Sequence, residues 1–400
     1  MAWSMASNVR VWASELDPNA LLQAERTGRL PILAGPVALM PDAHVGIGAT
    51  VGSVVATVGA IIPAAVGVDL GCGMVAAELD LAAAELPDSL GPFMDDVRQA
   101  APAGVGVGTE QASRARWEAN RWLEQHPADL AQGDMATAAN QLGTLGSGNH
   151  FVEVCLDERD RAWLVLHSGS RGVGNRLASR HIAVARQLAT GKHLEDPDLA
   201  WLTQGTPEFQ AYVIDMLWSQ DYALASRAIM LAELERRFLA FVGHGHVVRR
   251  VNCHHNFAQE ELHGGRLVWV TRKGAISAAA GEAGIIPGSM GTLSYVVRGR
   301  GNELAYRSSP HGAGRRLSRG QARRELTVES FQAHMAGVSV WQDRDAGALL
   351  DEHPLAYKSI DQVMADSADL VTVEHELRQV LNYKGVDEPR GRKHRRVDRV

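Results

Sequence analysis

The sequence of 400 residues predicts one α+β domain with helices inserted between its strands. Three observations carry this. Short β-type runs recur between Gly-rich turns. One long stretch, Pro207–Val242, repeats apolar residues every three and four positions, as a helix with a buried face does. No Ser/Pro/Gly-rich linker divides the chain, although its length alone would allow roughly two to three domains.

Taken in order, Val51–Val58 and Met74–Leu81 read as strands. Phe151–Leu156 and Ala162–Leu166 read as a strand pair turning at 157–161, with Cys155 mid-strand on the core side. Asn175–Leu188 reads as a helix opened by a Gly-rich turn, and Pro207–Val242 as the longest helix. Leu267–Thr271 and Ser294–Val297 are short β-type runs. Leu326–Met335, Ile360–Ala365 and Val373–Leu381 read as helices. The segment 59–67 echoes 283–291 (GAIIPAAVG, AGIIPGSMG), as a pseudo-repeat or a shared turn. The domain is expected over 1–385, with 386–400 as a basic, disordered tail able to add phosphate contacts.

The stretch 45–68 has no charged residue, but five glycines and Pro63 interrupt it. Buried strands and turns fit it better than a membrane span. The opening MAWSMASNVRVWASELDP lacks the apolar core of a secretory leader. Three cysteines without a CxxC pair fit a reducing, cytoplasmic setting. A net charge of −6 weighs globally against nucleic-acid binding and leaves room only for a local basic groove.

Five places set a metal-type side chain in Gly-rich or strand-end backbone. They are Asp69-Leu-Gly-Cys72, Gly148-Asn149-His150, Leu166-His167-Ser168, Cys253-His254-His255-Asn256 and Pro310-His311-Gly312. One Cys, one Asp and three His suit an open first-row metal site better than closed structural zinc, and a thiolate can bridge two ions. Of His254 and His255, strand alternation points one inward. Two metals about 3.5–4 Å apart could clamp a displacement at phosphorus.

Phosphate-type elements accompany these. Ser168–Asn175 (SGSRGVGN) precedes a helix and offers free N–H groups, with Arg171 able to fork onto a phosphate. It is neither a P-loop, lacking GK[ST], nor a dinucleotide fingerprint. Pro287–Gly291 with Ser294 offers a second cradle, Arg272 and Lys273 add cations near a strand end, and His311 sits in HGAGR, where a neutral imidazole can attack phosphorus.

Together these motifs resemble the RtcB-type RNA-splicing ligase family. They are MPDAHVGIGATVGSV (40–54), GAIIPAAVGVDLGCGM (59–74), LGTLGSGNHFVEVCLDE (142–158), LHSGSRGVGN (166–175), NCHHNF (252–257), TRKGAISA (271–278), GIIPGSMG (284–291), PHGAGR (310–315) and YKSID (357–361), from about residue 31 to Gly385. The resemblance implies a single compact RtcB-like domain, with mixed β-sheets around a central dinuclear metal site. It implies an enzyme using GTP and two Mn2+ ions to join an RNA 3′-phosphate or 2′,3′-cyclic phosphate end to a 5′-hydroxyl end through a histidine–GMP intermediate. A metal-dependent phosphoesterase that opens cyclic phosphates without ligation is the alternative.

Residue by residue, the resemblance makes Asp69, Cys72, His150, His167 and His255 metal ligands, with Cys72 bridging, and His311 the guanylylated nucleophile. It makes Asn149, His150, Phe151, Glu153, His255, Asn256, the loop Pro287, Gly288, Ser289 and Met290, then Ser294, His311, Gly312, Ala313, Gly314 and Lys384 nucleotide contacts. Asp42, Arg171 and Arg315 are expected at the RNA ends or phosphates; for Asp42 a turn cap after Pro41 is the plainer reading. An archease-type activator is implied for some members, and a monomer is expected. Two departures stand out: the segment 101–140 is shorter and less basic than in some relatives, and fifteen residues follow Lys384-Gly385 where many members end.

Overall fold

The computed structural model describes residues 2–4 as backbone, then 8–104, 106–110, 113–191, 193–342 and 346–385. The expected tail, 386–400, lies outside the described residues.

Two sheets organise the chain. A seven-stranded antiparallel sheet runs in the order Val247–His254, Gly73–Ala82, Arg161–Ser168, Phe151–Leu156, Val371–Lys384, Ser294–Gly299, Ala283–Ile286. A mixed six-stranded sheet runs Ala2–Ser4, Val9–Val11, Val37–His44, Val51–Thr57, Arg266–Lys273, Asn256–His263. One apolar cluster joins them, with Met40, Val54 and Val270 of the second sheet against Ile286, Tyr295 and Val297 of the first. The strands read at 51–58, 74–81, 151–156, 162–166, 267–271 and 294–297 all form, and Cys155 is fully buried.

The helix Pro207–Val242 has 36 residues and so spans about 54 Å. Its ends follow local chemistry: the Thr206 hydroxyl accepts from the Phe209 N–H, Pro207 occupies the first turn, and Gly243 stops it at φ 91°. It serves three cores in succession. Phe209, Tyr212 and Met216 meet Ile61 and Trp269; Trp218 and Tyr222 meet Leu177; Met230, Leu234 and Phe238 cover the seven-stranded sheet.

One helix expectation fails. Residues 373–381 belong to the strand Val371–Lys384, central in its sheet. The register slips between Gln379 and Leu381, so one extra residue is accommodated there. That insertion places Leu377, Val380 and Leu381 three and four apart, which imitates helical spacing. The helix expected from Asn175 begins four residues earlier, at Arg171, and the one expected from Leu326 begins at Val328 behind its Thr327 cap.

Candidate metal and nucleotide site

The five expected ligands meet at one end of the seven-stranded sheet. Four of its neighbouring strands deliver them: Cys72 precedes Gly73–Ala82, His167 lies in Arg161–Ser168, His150 precedes Phe151–Leu156, and His255 follows Val247–His254. Cross-strand pairing sets Met74 opposite His167 and His167 opposite Phe151. Cys72 Sγ lies 3.4 Å from His150 Nε2 and 3.3 Å from His167 Nε2. His167 Nε2 is 2.8 Å from His255 Nε2, and His150 Nε2 is 3.2 Å from Asp69 Oδ2. Two triads result, Cys72–His167–His255 and Asp69–Cys72–His150, sharing the sulfur.

These residues suit metal ions on the chemistry of their donors. The His150 and His167 Nδ1 atoms face the carbonyls of Leu145 and Asn149 at 3.0 and 3.1 Å, which leaves both Nε2 lone pairs turned inward. Burial, with neighbouring positive groups, lowers the pKa of His150, His167 and His255, so they stay neutral. Burial pushes Asp69 up, but His150 and Arg171 outweigh it and hold the carboxyl well below the usual range. Burial and Asp69 raise the Cys72 thiol; a bound cation would reverse that. Lone pairs facing each other at hydrogen-bond distance repel unless a cation lies between them.

His311 follows the short strand Ser308–Pro310, and its ring centroid is 4.8 Å from that of His255. Its Nδ1 lies 2.5 Å from Asp42 Oδ2, which also accepts from the backbone N–H groups of His311 and Gly312. Asp42 is completely buried in the strand Val37–His44. It therefore fixes His311 with its proton on Nδ1 and leaves Nε2 as the nitrogen that can react. Gly314 makes this approach possible: at φ +72° a Cβ there would sit 2.1 Å from the Asp42 carbonyl oxygen.

A cavity of about 410 Å³ opens beside these groups. Of the expected nucleotide residues, Asn149, Phe151, Glu153, His255, Asn256, Pro287–Met290, His311–Gly314 and Lys384 line it. Ser294 does not: it is buried at the start of its strand, and its hydroxyl has no partner among the described residues. Asp42 also lies behind the cavity rather than in it. His150 and Arg171 open instead onto a second cavity of about 310 Å³, with Asp69, Ser147 and Asn175. There Arg171 Nη1 shares the Leu145 carbonyl with His150 and reaches the Ser168 hydroxyl, at 2.7 and 3.1 Å. Arg315 lines the first cavity with its donors on Leu317 O, Tyr357 Oη and Asp351 O.

Burial pushes Glu153 up to about 8, against the pull of Lys384. Lys384 itself bonds Glu352 at 2.6 Å. Burial would raise Glu352 too, but Lys384 and Arg319 draw it down to about 2.

Some residues at the site were not assigned to it from sequence. Arg319 lines the cavity and pairs with Asp351 and Glu352. Lys273, one of the two cations expected near a strand end, lines it as well, bonding the carbonyls of Ile47 and Ala64, and burial lowers it to about 8. Its neighbour Arg272 turns to the other face and pairs with Glu261; strand alternation is the signal that separates them. Arg227 carried no signal. It sits fully buried inside the long helix and donates to Gly71 O, Ser168 O and Asn252 Oδ1 at 2.8, 3.0 and 2.9 Å. These acceptors lie in the three chain segments that carry Cys72, His167 and His255.

A shared thiolate position, three inward imidazole nitrogens and a carboxylate beside a separately held imidazole suit metal-assisted group transfer at phosphorus. The chain belongs to the RtcB family: the family model described as "tRNA-splicing ligase RtcB" matches residues 23–385. It is 40% identical over 403 residues to "RNA-splicing ligase RtcB1" of Escherichia coli (strain ATCC 25922), covering 94% of this chain and 97% of that protein. The same figures hold for "RNA-splicing ligase RtcB" of Escherichia coli strain K12. Identity is 31% with "RNA-splicing ligase RtcB" of Mycobacterium tuberculosis, over 86% of this chain and 95% of that protein. No helix among the described residues is long and apolar enough to cross a membrane.

Proposed function

We propose that this chain is a GTP- and Mn2+-dependent RNA ligase, with residues 1–385 as its catalytic domain, acting as a cytoplasmic monomer. The observation that carries the reading is His311, locked by Asp42 through Nδ1 beside a five-donor metal set. In the first step His311 Nε2 attacks the α-phosphorus of GTP; an N–P bond forms and the bond to pyrophosphate breaks. An RNA 3′-phosphate oxygen then takes the GMP, and the imidazole is restored. Finally the 5′-hydroxyl gives up its proton and attacks the activated phosphate, and GMP leaves. A 2′,3′-cyclic phosphate end is opened by water beforehand.

Asp69, Cys72, His150, His167 and His255 would hold two Mn2+ ions, which neutralise charge on the phosphates when bound. Asp42 keeps the nucleophile in the reactive tautomer. Glu153 accepts from guanine N–H groups, with Phe151 and the Pro287–Met290 loop around the base. Asn149, Asn256, Gly312, Ala313, Gly314 and Lys384 complete the nucleotide pocket. Arg315 faces the nucleotide phosphates, and Arg171, in the second cavity, faces an RNA end. An archease-type protein is the candidate activating partner.

The test is incubation with Mn2+ and GTP labelled at the α-phosphate, followed by denaturation. Label on wild type and none on His311→Ala supports the reading. No label on metal-loaded wild type would overturn the histidine–GMP intermediate.

A further inference from the structure

The β-bulge in the strand Val371–Lys384 has a chemical result. Gln379 pairs opposite Cys155 and Asn382 opposite Glu153, with the slip between them. In a regular strand, residues three apart point to opposite faces. The extra residue turns Gln379 and Asn382 to the same face, while Val380 joins the core under the long helix.

On that face the two amides form a continuous link. Asn382 Nδ2 donates to Glu153 Oε1 at 2.8 Å and to Gln379 Oε1 at 3.2 Å. Gln379 Nε2 donates to the carbonyls of Ser289 and Thr292 at 3.0 and 3.1 Å, and its Oε1 accepts from Gly291 N–H at 2.9 Å. Turning either amide over would set acceptor against acceptor, so both orientations are fixed. Gln379 and Asn382 are buried and neither lines the cavity, yet Glu153 and the loop Pro287–Met290 both do. Asn382 Oδ1 is buried with no partner among the described residues, an unfavourable arrangement that fold stability alone would not favour.

We propose that Gln379 and Asn382 are positioning residues for base choice: they lock the Glu153 carboxyl and the Pro287–Met290 loop in one mutual geometry, so that the cavity selects guanine over adenine. This rests on the reading of Glu153 as the acceptor for guanine. A carboxyl free to swing would accept from guanine less well and oppose the adenine edge less strictly. Its orientation therefore sets the ratio of the two affinities rather than the chemistry at His311.

The experiment measures equilibrium binding of GTP and of ATP by calorimetry to the metal-loaded full chain carrying His311→Ala, and the concentration dependence of His311 labelling in the chain that keeps His311. The variants are Glu153→Gln, Asn382→Asp, Asn382→Ala and Gln379→Ala. Asn382→Asp keeps the shape and removes the donor, which separates positioning from packing if Asn382→Ala folds poorly. We expect Asn382→Asp and Gln379→Ala to lower the GTP:ATP binding ratio about tenfold or more, mainly through the half-saturating GTP concentration, with labelling at saturating GTP within about threefold of wild type. A collapsed ratio in Glu153→Gln with wild-type ratios in Asn382→Asp and Gln379→Ala overturns the proposal. An unchanged ratio in Glu153→Gln removes the underlying reading of Glu153, and the proposal with it.

Discussion

The two walls of the cavity differ in how their polar groups are balanced. On the metal wall, neutral imidazoles, a thiol and a carboxylate point at one another with no cation of the described residues in the middle. On a second wall each charge has its partner: Lys384 and Arg319 with Glu352, and Arg315 with Tyr357 and the Asp351 carbonyl. The first wall is completed only by something from outside; the second is complete as folded. The first should respond to metal, and the second to acid.

The largest effect expected along this divide is at the nucleophile between the walls. Asp42→Ala removes the acceptor of three N–H groups and the tautomer lock, and should slow His311 labelling about 10³–10⁴-fold. A loss below tenfold would show that the imidazole orients itself.

Next comes Arg227→Met, which strands the carbonyls behind the metal wall. It should cost about 2–6 kcal/mol in denaturant unfolding, at about 1–3 for each buried carbonyl left without a donor, and weaken Mn2+ binding. Unchanged metal affinity in a folded variant would separate that wall from the helix.

Mn2+ at about a hundred times its dissociation constant should add about 2.7 kcal/mol of stability, lost on chelation and absent in His167→Ala. Equal stabilisation of that variant would place the metal elsewhere.

The last effect is with pH, and the two carboxyls act in opposite directions. Glu352, drawn down to about 2, gives stability that is full above its ordinary value near 4.5 and lost as pH falls toward 2. Glu153, raised to about 8, favours the fold most below 4.5 and loses that contribution as pH rises to 8. Nucleotide-free Glu153→Gln should therefore lose less stability than wild type between pH 5 and pH 8. Parallel curves would place the titrating group elsewhere.

Much of the site was legible because its residues sit in Gly-rich strings at strand ends, where backbone constraint and ligand chemistry coincide. Asp69, Cys72, His150, His167 and His255, scattered over the chain, converge as their motifs suggested. What was hidden depends on tertiary packing. The 371–384 strand read as a helix because a bulge disguised its alternation. Arg227 resembled any polar residue of a long helix, and only the fold brings three distant chain segments to it. Ser294 carried a motif's promise, but its hydroxyl turns into the interior. Asp42 was expected at the RNA ends and instead lies behind His311.

The Arg227 contacts bear on how the molecule breathes. One side chain in the middle of the helix clasps a turn and two strands far apart in sequence, while the same helix is shared by three apolar clusters. A metal loop cannot swing open alone without stripping a buried guanidinium of an acceptor. Amide hydrogens around Gly71, Ser168 and Asn252 should therefore exchange with solvent in step with the whole helix, so that metal escapes on the slow timescale of subglobal opening rather than that of loop motion.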